Sequence, residues 1–110
     1  MKADLELQVR ESEVMAAYFW SLKCQKCRIF GPSIESTSKD KGIPLVKIDV
    51  GMEKETAVHY DVLSLPTLIF FRKGREALRL TAGSMTREEI KSAFDKLCNS
   101  ALGAPRRGSD

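Results

Sequence analysis

Phe19-Trp20-Ser21-Leu22-Lys23-Cys24-Gln25-Lys26-Cys27 is the stretch on which the fold turns. It completes the apolar run Val14–Trp20, which is rich in aromatic residues and has the pattern of a strand covered on both faces in the middle of a sheet. Past the run come two thiols separated by two residues, and then Cys27, Ile29, Phe30 and Ile34, which fall largely on one face of a helix over 24–39. Lys41-Gly42 supplies the stop, and Pro32 inside the helix is expected to kink it.

At the start of a helix, Cys24 and Cys27 stand within bonding distance of each other, the first at the turn and the second one helical turn inside. Such a pair can cycle between dithiol and disulfide. The thiolate is the attacking form, and the partial positive charge of a helix N-terminus stabilises it, together with the cations Lys23, Lys26 and Arg28. Lowering a thiol pKa from about 8.5 to about 7 raises the thiolate fraction at neutral pH from roughly 3% to roughly half. Cys24 is therefore the expected nucleophile, and the less exposed Cys27 the group that resolves a mixed disulfide.

Outward from this centre the pattern is strand, helix, strand, helix, the signature of an α/β domain. Pro44 opens a second buried run over 45–50, and 53–60 has the length and charge pattern of a short helix. Thr67-Leu68-Ile69-Phe70-Phe71 reads as a buried strand, with Lys73-Gly74 turning into an alternating strand over 75–80, so the two form an antiparallel hairpin. Thr86-Arg87-Glu88-Glu89 is a capping box before Ile90, Ala93, Phe94 and Leu97, which predicts a final amphipathic helix to about Cys98. Leu5, Leu7 and Val9 alternate like a short strand, although Leu5 and Val9 alone also suit one helical turn; the alternation favours strand. One domain over 1–100 is expected, followed by a disordered tail over 101–110 that includes Arg106-Arg107.

Bulk properties narrow the function. The 110 residues are 43% hydrophobic and 30% charged, an ordinary globular balance, and no apolar run approaches the ~20 residues of a membrane span. A net charge of +3 with acids and bases interleaved gives no basic stripe for nucleic acid. The N-terminal residues lack the apolar core of a secretory signal, so a cytoplasmic, reducing location is expected. Three cysteines do not make a disulfide framework, and in a reducing compartment a Cys-X-X-Cys pair indicates redox catalysis or metal binding. A zinc site needs four ligands, and the remaining candidates, Cys98 and His59, stand at no metal-ligand spacing, so redox chemistry is the better reading.

The segment 19–27 resembles the active-site segment of thioredoxins, which have Phe-Trp, three residues, then Cys-Gly-Pro-Cys. Pro32, five residues past Cys27, matches the family's helix proline, and Leu65-Pro66-Thr67 resembles its cis-proline loop. Lys47-Ile48-Asp49-Val50, residues 60–62, Phe71, Gly74 and Gly83 fall in register, so the resemblance covers about 14–97. It implies a thioredoxin-like fold, a central mixed sheet flanked by helices with a shortened N-terminal strand or helix. It also implies protein disulfide exchange without a bound cofactor or metal, in a monomer recharged by a thioredoxin reductase or a small thiol. By the same resemblance the bond before Pro66 is cis and lies against the cysteines, the Leu65 backbone is free to pair with an extended substrate, and Gly83 lines that groove.

Departures from the family pattern fall on residues that tune the pair. Lys23 replaces the aromatic residue before the first cysteine, and Gln25-Lys26 replaces Gly-Pro. The added positive charge favours thiolate and should shift the protein toward oxidant. Tyr18 stands where the family has a buried aspartate two residues before Trp20, while the resemblance gives Lys47 as that group's lysine neighbour; the family's proton acceptor for the second cysteine is therefore missing. Trp20 reads as core or as packing beneath the cysteines, His59 as a surface residue, Cys98 as a partly buried apolar residue, and Met52 and Met85 as gap-fillers or surface residues. A non-catalytic interaction module using the Pro66 groove is the alternative function, since folds are reused without their chemistry.

Overall fold

The computed structural model describes residues 5–101, with side chains over 5–98. The elements run α1 (Leu5–Glu11), β1 (Val14–Trp20), α2 (Gln25–Lys41), β2 (Leu45–Asp49), α3 (Lys54–His59), β3 (Thr67–Arg72), β4 (Arg75–Leu80) and α4 (Arg87–Ala101). They build one mixed sheet in the order β2-β1-β3-β4, with β1 parallel to β2 and antiparallel to β3, and β3 antiparallel to β4. Residues 102–110, most of the expected tail, lie outside the described residues.

β1 is an inner strand, and its alternating side chains divide the core. Ala16 and Tyr18 point into a cluster with Ile34 of α2 and Ile90, Phe94 and Leu97 of α4; Met15, Ala17 and Phe19 point into one with Leu5 and Val9 of α1 and Ala57 of α3. Phe19, Phe70 and Phe94 are fully buried, each contributing roughly 1.5–3 kcal/mol of transfer free energy, and the Phe70 and Phe94 rings meet edge to face at 4.8 Å.

Local signals in the sequence account for most element ends. Gly42 adopts the left-handed conformation (φ 67°) and its N–H caps α2 on the carbonyls of Lys39 and Ser38. Lys73 (φ 52°) and Gly74 (φ 83°) make the two-residue turn of the β3-β4 hairpin, the geometry that matches strand twist. Thr86 Oγ1 accepts from the Glu89 N–H at 3.0 Å at the start of α4, and the helix continues to Ala101, three residues past the expected end.

Two expectations are corrected. Residues 5–11 form a helix, not a strand: Leu5 and Val9, four apart, share the buried face, whereas Leu7 is 39% exposed. The short link to β1 carries no crossover because none is needed. Ile29 does not share the buried stripe of α2; it is 52% exposed, about 200° around the helix from Cys27, while Cys27, Gly31, Ile34 and Ser38 follow the inward face.

Candidate active site

β1 ends at Trp20, and the chain turns through Ser21, Leu22 and Lys23 before entering α2. Two hydrogen bonds shape that turn: the Cys24 N–H donates to the Ser21 carbonyl at 3.1 Å, and the Lys23 N–H to Ser21 Oγ at 3.2 Å. Cys24 is then the N-cap of α2, extended at φ −90° and ψ 110°, with its Sγ accepting from the Cys27 N–H at 3.1 Å. A sulfur in that position faces unpaired N–H groups and the positive end of the helix dipole, which lowers a thiol pKa. Cys24 is half-buried and Cys27 is buried, and the two are joined as a disulfide with their Cα atoms 5.2 Å apart.

The cations expected around the pair are present. Lys23, Gln25 and Lys26 are exposed, as is Arg28, whose guanidinium donates to the Leu22 carbonyl at 3.2 Å and ties the first turn of α2 to the loop before it. No acidic residue occupies that first turn.

Behind Cys27 lies a polar group set into the sheet. The Tyr18 hydroxyl donates to the Cys27 carbonyl at 2.8 Å, so it holds the backbone of the second cysteine. Burial, with a smaller contribution from the Glu35 carboxylate, pushes the Tyr18 phenol up to about 12, which keeps it a donor throughout the physiological range. Gly31 lies beside this contact, and a Cβ there would stand 3.4 Å from the Tyr18 hydroxyl, at van der Waals distance. Lys47, opposite Tyr18 in the β1-β2 register, pairs with Glu35 at 3.0 Å on the surface. Trp20, Cys27, Arg28, Glu35 and Lys47 line a cavity of about 270 Å³ with Tyr18 at its wall. The sequence singled out Tyr18, Lys47 and Trp20 but missed Glu35, an exposed acid of α2 that meets Lys47 through the packing of α2 against the β1-β2 pair.

The Leu65-Pro66 peptide is cis, with Pro66 buried and Leu65 half-buried at the start of β3. Trp20, Cys24 and Leu65 pack against the same core cluster, which brings this loop and the redox turn to one end of the sheet. Gly83 is exposed between β4 and α4, and a Cβ added there would meet nothing within 4 Å. His59 is exposed and stands 3.8 Å from Glu6, Cys98 is half-buried with a free thiol, Met52 is exposed, and Met85 is buried in the core. Among the described residues no group of three or more His, Cys, Asp or Glu side chains is arranged to hold a metal, and no helix is long and apolar enough to cross a membrane.

Known proteins resemble this chain in sequence and in fold. The thioredoxin family profile matches residues 1–96. A thioredoxin of Staphylococcus aureus is 33% identical over 96 residues, covering 86% of this chain and 90% of its own. That of Bacillus subtilis is 33% identical over 85 residues, covering 76% and 81%. Among solved structures, thioredoxin from Plasmodium falciparum superposes with a TM-score of 0.79 at 21% identity, over 86% of this chain and 92% of that one. Thioredoxin from Fasciola hepatica does so with a TM-score of 0.77 at 24% identity, over 86% and 91%.

Proposed function

The chain belongs to the thioredoxin family and is a thiol-disulfide oxidoreductase, and from that premise we propose that Cys24 is the attacking thiol and Cys27 the resolving one. The observation that carries the assignment is the N-cap position of Cys24, whose half-buried sulfur accepts a backbone N–H while Cys27 is buried one turn inside. The Cys24 thiolate attacks one sulfur of a protein disulfide, forming a mixed disulfide and releasing the other sulfur as a thiolate. The Cys27 thiolate then attacks Cys24 Sγ, closing the internal disulfide and releasing the second substrate thiolate. Two electrons pass from the dithiol to the substrate, and the two protons lost by Cys24 and Cys27 are matched by those the substrate thiolates take up.

Lys23, Gln25 and Lys26 set the balance of this exchange from the rim. Trp20 packs beneath the pair, and Tyr18 and Lys47 act from behind Cys27, Tyr18 through its hold on the Cys27 carbonyl and Lys47 through Glu35. Leu65, Pro66 and Gly83 form the substrate groove, where an extended segment pairs with the Leu65 backbone. No bound cofactor is required, because both electrons reside in the cysteine pair. Family membership implies disulfide-bearing substrates and a reductase in general; a thioredoxin reductase or a small thiol restores the dithiol here. A monomer acting in cytoplasmic electron transport is part of the same reading, and the cytoplasmic location is supported by a cysteine content too low for a disulfide framework.

Equilibration in glutathione buffers, with free thiols trapped by alkylation and counted by mass, tests this assignment. A reversible internal disulfide is expected, with a potential above the ~−270 mV of thioredoxin because the added cations stabilise the reduced thiolate form. A potential as low as thioredoxin's would refute the role of the cations. A pair that never responds to glutathione would leave only a binding module at the Pro66 groove.

A further inference from the structure

The segments that gather around the cysteine pair are unbalanced in charge. From Trp20 to Ile34 the chain carries Lys23, Lys26 and Arg28 and no acid, and the two other segments proposed for the groove, 62–67 and 81–86, carry no charge at all. Acids stand beyond these segments, Asp49 opposite Trp20 in the β1-β2 register and Glu35 further along α2, so the imbalance belongs to the cysteine turn itself and not to the whole of this end. Lys23 and Lys26 are exposed beside Cys24, in neither case held by an ion pair that the structure records among the described residues.

An apolar groove of about 350 Å³ continues from Leu65. Val50, Ala57, Val58, Val62 and Leu63 line it, and its one charged lining residue is again a cation, Lys54. Val58 is 74% and Leu63 94% exposed, a level at which two branched apolar side chains contribute little to the fold.

We infer that the preferred substrates are disulfides in acidic segments that also carry a bulky apolar side chain near the attacked cysteine. This inference deepens the redox assignment and rests on it. The acidic side chains meet Lys23 and Lys26 beside Cys24 and Lys54 at the groove, while the apolar side chain enters the groove beside Leu65. Complementary charge raises the local concentration of such segments and speeds encounter with the thiolate, an effect that salt screens. Lys23, Lys26 and Leu63 are then specificity residues as well as, for the two lysines, tuners of the thiol.

The test uses three disulfide-bonded peptides that differ only in flanking residues, Glu, Gln or Lys, each offered to the reduced full chain at ionic strengths of about 0.01 M and 1 M. Over that range the screening length falls from about 30 Å to about 3 Å. At low salt the Glu peptide should react about tenfold faster than the Lys peptide, and at high salt within about twofold. In a Lys23→Gln/Lys26→Gln chain the low-salt ratio should fall to about threefold or less. Any change in thiolate content affects all three peptides alike, so the ratio isolates recognition from reactivity. Placing Leu instead of Ser beside the cysteine of the Glu peptide should quicken the reaction about threefold, and Leu63→Ser should remove that gain. Equal rates for the three peptides at low salt would overturn the inference and leave the redox assignment standing. Failure to reduce any of them, the neutral Gln peptide included, would overturn both.

Discussion

On one face of the sheet, helices of 17 and 15 residues lie over Ala16, Tyr18, Leu68 and Phe70; on the other, helices of seven and six residues lie over Met15, Ala17, Phe19, Ile69 and Phe71. The long-helix face contains the redox cysteines and the buried phenol of Tyr18, which bonds to the Cys27 carbonyl. Its short-helix counterpart holds the buried Thr67 hydroxyl, opposite Phe19, which bonds to the Ser64 carbonyl of the loop before β3. A polar group beneath a sheet-covering helix is costly unless paired, so it is tolerated where extensive packing surrounds it and where it does something for the site. The difference teaches that this chain places its chemistry on its better-covered face, and each prediction below tests one side of that contrast.

The largest effect concerns chemistry without packing. Cys24→Ser should lower protein disulfide reduction by on the order of 10³-fold or more while leaving the thermal unfolding of the reduced protein nearly unchanged. A large loss of stability in that variant would mean that the thiol itself holds the face together. Next come the two cores. Phe94→Ala, which empties the contact with Phe70, should cost about 3–5 kcal/mol in denaturant unfolding. Leu5→Ala should cost less, about 2–3 kcal/mol, because a seven-residue helix near the chain start can shift to fill the space. Equal costs would show that the short helices are as firmly seated as the long ones.

Tyr18→Phe should cost about 1 kcal/mol through loss of the bond to the Cys27 carbonyl. The same variant has a pH signature. Folding raises the phenol from 10.0 to about 12, so the native state holds that proton more tightly than the unfolded chain. The resulting stabilisation is complete below about pH 10 and is lost as pH rises from 10 to about 12. Tyr18→Phe should lack this alkaline slope, as followed by denaturant midpoints across that window. The smallest effect belongs to Glu35→Gln. Its ion pair with Lys47 is about half exposed on both sides, so stability should change by less than about 1 kcal/mol. The Tyr18 phenolate absorbance should nevertheless appear at lower pH than in the parent chain, yet still above 10.0, because burial remains the larger cause of the shift.

Strands and helices whose apolar periodicity agreed with their caps were legible before any coordinates. β1 shows nearly continuous burial because both its faces are covered, and α4 could be placed by its capping box and by Ile90, Ala93, Phe94 and Leu97. Residues 5–11 were not legible for a physical reason: three apolar residues at spacing two satisfy a strand, and two of them at spacing four satisfy a helix. Only the packing partners decide, and these come from Met15 and Phe19 in the following strand and from β3. Ile29 misled in a related way, since an apolar residue need not be a buried one.

In the site, Cys24 and Cys27 could be read from spacing and from the helix that follows them, and the cis bond before Pro66 from family resemblance. Glu35 could not. Its relation to Tyr18 and Lys47 exists only because α2 crosses the β1-β2 pair at that point, a tertiary fact with no local mark in the sequence. The apolar groove beside Leu65 is hidden for the same reason, as its walls come from the end of β2, from α3 and from the loop before β3.

The strand order leaves β2 and β4 on the outside, and both carry charge along their length: Lys47 and Asp49 on one, Arg75, Glu76 and Arg79 on the other. Pro44 precedes the first, and a register irregularity between Phe70 and Phe71 disturbs the ladder beside the second. Charged, irregular borders discourage one copy's sheet from extending another's, so unwanted stacking of copies through backbone pairing is opposed at each open margin. On the proposed pairing of substrate with the Leu65 backbone, such borders would confine the offer of backbone to the loop beside the cysteines and keep the rest of the sheet from accepting strands.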